Sequence, residues 1–427
     1  MNRILAITGL TLRSAIRSKV FALLVVLVMV GIFGLPLIMK SDGTLSGQVQ
    51  LFLQYTLGLT VALLSVMAVW TGAGAISLEV AGRQIQMVVV KPVSALELWL
   101  GKWLGLMIIN VALLALAGAA IYGLLQWTTR SSLLSPMDRI RLREEILVAG
   151  SDVLPRQPGN APATRAGGLS VAPGKTGHWQ FDLPARVRAD DPVFLQFRFV
   201  TSRPGDQTPV AGLWLIGDNG GADLCRVPVS GVAHQDYAFK VPVLSGVRRL
   251  QVSYVNMAEK PPVTILFDAA DSVTLRVNYS RFEINYLRAL LMVLARLAFF
   301  SALGLTCGVV FSFPVAVFAS LALLLISAVN RWMQQVVTVH FINYPDEGAG
   351  PIMMFFDWII QAMFLALNAI MPPLYQLNPL DWLSGSLLIS WGLVGEAWLV
   401  LGGVYAGMLA LAGAWLFRRR ELGLPTS

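Results

Sequence analysis

The sequence predicts a polytopic α-helical membrane protein with an all-β sandwich inserted in its middle, and three observations carry that expectation. Of 427 residues 56% are hydrophobic and only 13% are charged, and the apolar residues gather in blocks long enough to cross a bilayer. Lys and Arg stand mainly at the ends of those blocks and in one polar region. The net charge of +8 therefore reads as membrane topology, and no nucleic-acid partner is expected. Between residues 128 and 279 the composition turns polar and the hydrophobic period changes to two.

Residues 1–19 place Arg3, Arg13, Arg17 and Lys19 among Ile4, Leu5, Leu12 and Ile16, a basic amphipathic helix suited to the headgroup region. Residues 20–38 form a first span, too long for a signal-peptide core and without a small-residue cleavage site. The basic residues before it place the amino terminus in the cytoplasm. A second span covers 51–75 and a third 100–127, ending at Trp127 where an aromatic belt residue would stand.

Residues 136–148 read as a charged helix, and 155–168 as a Pro, Gly and Ala-rich linker, so that 128–168 precede the sandwich proper. In 169–279, Trp179, Phe181 and Leu183 alternate with polar residues. So do Val193, Leu195, Phe197 and Phe199, and Leu250, Val252 and Tyr254. Asp218-Asn219-Gly220-Gly221 signals a hairpin between 213–216 and 224–229. About 110 residues suffice for a separate core. The strand pattern loosely resembles a jelly-roll of the carbohydrate-binding kind.

A fourth span is expected over 285–311 and a fifth from 314 to 329, short enough that it continues into 331–338 or meets a thin bilayer. Residues 351–371 are apolar but hold Asp357 and end in Pro372-Pro373, and Asn378-Pro379 and Asp381 follow. A re-entrant helical hairpin over 351–393 fits those breaks. The final span, 398–417, ends in Arg418, Arg419 and Arg420. Six spans plus the hairpin keep this triple arginine in the cytoplasm, whereas a seventh span would expose it outside.

The stretch 76–102, ISLEVAGRQIQMVVVKPVSALELWLGK, lies between two spans yet carries Glu79, Arg83, Lys91, Glu97 and Lys102, with Pro92 in its second half. A short amphipathic helix, a Pro turn and a second helix start, held at the membrane surface, form an elbow that can receive force from a soluble partner. Glu79 and Arg83 are spaced i, i+4, which allows a local ion pair as readily as a partner contact. Lys102 is expected to snorkel to the interface.

These residues resemble the permease subunits of ABC-2 type ABC transporters, in the group with a large insert between the third and fourth spans. The resemblance covers the membrane parts. It rests on the basic amphipathic start, Glu79 after the second span, the Lys91-Pro92-Val93-Ser94 turn, and Glu97 followed by Gly101-Lys102. Met87-Val88-Val89-Val90 replaces the leucines more usual in the strip. The resemblance implies a multi-pass protein of a bacterial inner membrane, with both termini cytoplasmic and the sandwich outside. It implies a dimer with a second copy or a paralogue, whose elbows dock on a separate ATPase subunit holding ATP and Mg²⁺. A protein or glycan outside could bind the sandwich. The alternative is a membrane-anchored scaffold whose sandwich binds such a partner without transport.

No catalytic or cofactor site is expected in this chain. Gly174-Lys175-Thr176 ends like a phosphate loop, but Leu169 stands at the first glycine position and the segment lies in the β region. His178, His234 and His340 are scattered, and Asp218, Asp223, Asp268 and Asp271 read as turn acids before calcium ligands. Cys225 and Cys307 lie in different phases and do not pair. Arg296, in the middle of the fourth span, is the outstanding charge. It can snorkel along the bundle, pair with Asp357 or Glu396, or serve substrate passage.

Overall fold

The computed structural model describes residues 2–17, 19–38, 45–82, 93–130, 148–155, 157–158, 167–184, 192–202, 208–218, 223–241, 249–258, 262–269, 272–338, 355–356, 358–360, 362–363, 372–374 and 376–419. The chain divides into two compact units. Met1–Arg139, Asn285–Gly385 and Ile389–Ser427 form one, and Ile140–Ile284 with Ser386–Leu388 forms the other.

The first unit is helical: α1 (Asn2–Ile16), α2 (Lys19–Ile38), α3 (Leu45–Ala81), α4 (Ala95–Arg130), α5 (Phe282–Val310), α6 (Phe313–Thr338), α7 (Pro379–Ser384), α8 (Trp391–Ala397) and α9 (Ala406–Arg419). A π-helical segment, Trp398–Tyr405, joins α8 to α9. Among the described residues four helices are long and apolar enough to cross a membrane: Val49–Ala81, Ala95–Thr128, Phe282–Val310 and Trp391–Arg419. They correspond to the second, third, fourth and last expected spans. Arg3–Ile16 and Phe21–Pro36, bent by 66°, make a fifth if counted together. Phe313–Ile326 is apolar but shorter than a span, although α6 does continue to Thr338 as expected. Of the hairpin expected over 351–393, most of 351–371, with Asp357, lies outside the described residues, while 379–384 form the short helix α7 and 391–393 begin α8.

α3 runs 37 residues without Pro and with Glu79 as its single charged residue, about 55 Å against a hydrocarbon core of about 30 Å, so an end projects. Three hydroxyls within it bond back along the helix, Thr60 donating to Thr56 O (2.8 Å), Ser65 to Val61 O (2.7 Å) and Ser77 to Ala73 O (2.6 Å), while Thr56 Oγ1 is buried without a hydrogen-bond partner. α3 and α5 cross where both carry small residues. A Cβ on Gly304 would lie 2.5 Å from Val69 O, and one on Gly72 would lie 2.8 Å from Ser301 O. α4 is tied to α5 by Asn110 donating to Ser301 (2.8 Å), Trp103 to Ala298 O (3.1 Å) and Tyr286 to Gly118 O (3.0 Å).

The second unit is sandwich-like, with twelve strands among the described residues, whose pairings are antiparallel. They are β1 (Val148–Val153), β2 (Gln157–Pro158), β3 (Gly167–Val171), β4 (Thr176–Asp182), β5 (Val193–Arg198), β6 (Val200–Thr201), β7 (Val210–Asp218), β8 (Asp223–Gly231), β9 (Asp236–Val241), β10 (Arg249–Asn256), β11 (Ile265–Ala269) and β12 (Val273–Arg281). Sheet orders are β1-β12-β5-β9, β2-β4-β10-β7-β8 and β3-β11-β6. The expected alternation holds. Trp179, Phe181, Leu195, Phe197, Leu250, Val252 and Tyr254 share one core with Trp214 and Phe267. The β7–β8 hairpin forms, with Ile216 opposite Cys225.

The amino-terminal limit of this unit differs from the expectation. Val148 begins a strand that pairs with β12, and Gln157–Pro158 pairs with β4, so part of the expected helix and linker belongs to the sheets. Residues 136–147 of the expected helix lie outside the described residues; at Val148 the partner is Arg281 of β12, more than a hundred residues away. Ser386–Leu388 lies parallel to β1, with Gly150 N–H donating to Ser386 O (2.9 Å) and Leu388 N–H to Gly150 O (2.7 Å). The free side of β1 is thereby covered.

Candidate functional site

The elbow is bounded by the end of α3 and the start of α4. Arg83, Lys91 and Pro92 lie outside the described residues, so the site is built here from Glu79, Ser94, Glu97 and Lys102. Ser94 and Glu97 form a capping box. The Glu97 carboxylate accepts from Ser94 N–H (2.8 Å) and Ser94 Oγ (3.0 Å), while Ser94 Oγ accepts from Glu97 N–H (3.2 Å). The Ser-x-x-Glu spacing starts α4 abruptly after the turn.

Lys102 does not snorkel to the surface. Its side chain is 4% exposed, and Nζ donates to Glu79 Oε1 at 2.6 Å and to Ala75 O at 2.8 Å. Glu79 is 28% exposed and thus caps a buried cation from the other side of the junction. Two projecting helix ends, 23 residues apart in sequence, are joined across the base of the elbow. A charge beside this many apolar neighbours is tolerated only because the carboxylate and carbonyl replace its water.

α1 packs on the same stretch of α4. Cβ atoms on Gly101 and Gly105 would lie 2.8 Å from Ile7 and Thr11, and Thr8 Oγ1 donates to Gly101 O (3.0 Å). α1 therefore has a protein-facing side as well as exposed Leu5 and Ile16, which adds to the surface-helix expectation. One turn after the capping box, Trp99 Nε1 donates to Thr306 (3.3 Å), and Thr306 donates to Leu409 O (3.1 Å). A Cβ on Gly413 would lie 2.7 Å from Trp99 Nε1. Trp99 thus joins α4 to α5 and α9. Sequence reasoning missed Trp99 and Thr306, which carry no motif, whereas Gly101-x-x-x-Gly105 was a readable sign of close helix packing.

Arg296 is not drawn into this cluster. Its Nε is buried without a hydrogen-bond partner, and Cζ lies 5.8 Å from the Phe300 ring centroid. Glu396, one expected partner, is exposed on α8 and is not bonded to it, and Asp357 lies outside the described residues.

Gly174 and Lys175 form a turn between β3 and β4, closed by Lys175 N–H donating to Ala172 O (3.0 Å); a strand follows where a phosphate loop has a helix. His178 Nδ1 meets Ser253 Oγ at 2.8 Å on the β4–β10 pair. His234 sits in a turn at φ 65°, and His340 lies outside the described residues. Among the described residues no three His, Cys, Asp or Glu side chains gather as a metal site would require. Cys225 and Cys307 are unpaired thiols in different units.

No protein-family model matches the chain, and no curated protein matches it. Among solved structures it is similar to CBM35 from Cellvibrio japonicus Abf62, with 16% identity and a TM-score of 0.18, over 32% of this chain and 93% of that one. A likeness of that size carries no argument about fold or ligand.

Proposed function

We propose that this chain is the membrane subunit of an ATP-driven transporter of the ABC-2 type, lodged in a bacterial inner membrane and working as a dimer with a second copy or a paralogue. A separate ATPase subunit holds ATP and Mg²⁺. The elbow over 76–102 receives its motion, and the sandwich lies on the other side of the membrane. The observation that carries this reading is the Glu79–Lys102–Ala75 junction. It ties α3 to α4 at the base of the elbow, so a displacement of the elbow moves two apolar helices together and not one helix end. Trp99 supports the same reading, because its bond to Thr306 extends the tied group to α5 and α9.

The test is affinity purification of the tagged chain from its native membrane in mild detergent, with identification of co-purifying proteins and an assay of ATP hydrolysis. A stoichiometric ATPase, lost when residues 83–92 are replaced by a Gly-Ser segment in a chain that still inserts, is the expected result. Well-folded chain that brings down no ATPase after crosslinking refutes the transporter reading and leaves the sandwich-bearing scaffold.

A further inference from the structure

Two opposite charges stand at matched depth in neighbouring apolar helices and do not meet. α5 and the helix formed by α8, the π segment and α9 run side by side in the same direction. Arg288 Nη1 donates to Ile389 O (2.9 Å) and its Cζ lies 4.9 Å from the Trp391 ring at one end. Phe299 and Tyr405 meet at 6.0 Å further on, and Thr306 donates to Leu409 O beyond them. From the level of Arg288 and Trp391, Arg296 lies eight residues along and Glu396 five, about 12 Å and about 7.5 Å at helical rise. On this count, as on the count back from Thr306 and Leu409, their depths differ by three residues, about 4.5 Å and less than one turn; counted back from Phe299 and Tyr405 they differ by six residues, about 9 Å.

Within one chain they cannot pair as the helices are set. Val394 and Ala397 fill the inward side of α8, at 5% and 0% exposure, which turns Glu396 outward. That outward side is otherwise apolar, continuing through Leu399, Val404, Met408 and Leu411, and Glu396 is the single charged residue of 391–417. An ionised carboxylate there faces hydrocarbon and a guanidinium at Arg296 has no counter-ion among the described residues, and each arrangement is costly in a membrane. Arg288, the other arginine of α5, is already held by Ile389 O and Trp391.

We infer that a second copy of this chain supplies both missing partners: Glu396 of each protomer pairs with Arg296 of the other across a twofold axis along the membrane normal. Such an axis leaves depth unchanged, so only charges at matched depth can meet across it, and these two are matched. The contact is isologous, two identical ion pairs sealing one interface. The inference rests on the paired-subunit part of the reading above and is independent of the ATPase.

The experiment uses two differently tagged full-length copies co-expressed in a Cys225→Ser, Cys307→Ala background, one carrying Arg296→Cys and the other Glu396→Cys. A short bis-maleimide applied to the membranes is expected to join tag to tag. Replacing the second cysteine by Phe318→Cys, exposed on α6, is expected to abolish the product. In the native-cysteine chain, R296E and E396R alone are each expected to weaken self-association at least about tenfold, and together to restore it to within about threefold. Copies that co-purify without the Arg296→Cys/Glu396→Cys product, or reversals that neither weaken nor rescue, overturn this interface while leaving a dimer elsewhere. Copies that do not co-purify overturn the interface and the second-copy form of the paired-subunit reading together, leaving pairing with a paralogue. ATPase recovery in the same eluate is scored separately, so the failure of that reading is seen apart from this one.

Discussion

The Lys102–Glu79 junction makes a prediction in which the order of effects matters more than their size. Replacing Glu79 by Gln leaves the 4% exposed Lys102 side chain with two neutral acceptors, the Gln amide oxygen and Ala75 O, and without its countercharge. Removing one member of a buried pair costs about 3–5 kcal/mol, because the survivor stays charged and dry. Replacing Lys102 by Met leaves Glu79, but that side chain is 28% exposed and can turn to water, so its cost falls at or below about 3 kcal/mol. The double variant Glu79→Leu, Lys102→Met removes both charges and keeps the volume, and is expected to be less destabilised than Glu79→Gln alone. The assay is the midpoint of thermal aggregation in detergent, followed by size exclusion, with ATPase activity of the purified complex measured beside it. The expected ranking of destabilisation is Glu79→Gln, then Lys102→Met, then the double variant. The double variant is also expected to lose ATPase regulation while remaining folded, since α3 and α4 are no longer tied. Additive single effects, or a double variant worse than either single, refute the buried-pair argument. A stable double variant with unchanged regulation refutes the coupling argument alone.

Three further outcomes follow from the geometry. Ser94→Ala or Glu97→Ala breaks the capping box and costs about 1 kcal/mol, read as roughly fivefold faster amide exchange in the first turn of α4; additional loss of ATPase association would reveal a partner contact beyond the cap. Gly304→Ala places a methyl 2.5 Å from Val69 O and costs about 1–3 kcal/mol through separation of α3 and α5, whereas Gly407→Ala, with open space around it, lowers the thermal midpoint by no measurable amount. In the sandwich, burial pushes the Tyr254 phenol well above its ordinary value. A raised folded value means that stability is complete below the unfolded value of about 10 and declines as pH rises past it. Tryptophan fluorescence of the full chain should therefore report loss of sandwich packing in strong base, and Tyr254→Phe should remove that part of the alkaline loss.

Much of the fold was legible because its causes are local. Blocks of apolar residues state which segments cannot remain in water, and the helices at α3, α4, α5 and α8–α9 lie where those blocks lie. The alternation around Trp179, Phe197 and Val252 states which face of a strand is dry, and those side chains do share a core. Span number was less legible. Phe313–Ile326 is apolar but too short to be counted by length, and α2 meets α1 at a 66° bend, so hydropathy alone did not decide either. The candidate site was half legible. Ser94 and Glu97 announce a helix start by spacing, but the elbow pattern could not say that Lys102 turns inward to Glu79 and Ala75.

By itself, then, the sequence determined the long apolar helices, the polar insert and the strand faces, since hydropathy and period act over a few residues and answer to solvent. Tertiary structure alone decided that Lys102 is buried and paired, and that Trp99 reaches Thr306. It also decided that Ser386–Leu388 returns to cover β1, and that Arg296 Nε is buried without a hydrogen-bond partner. Those facts depend on which faces of distant helices and strands are brought together, and no local pattern encodes the relative rotation of two helices about their axes.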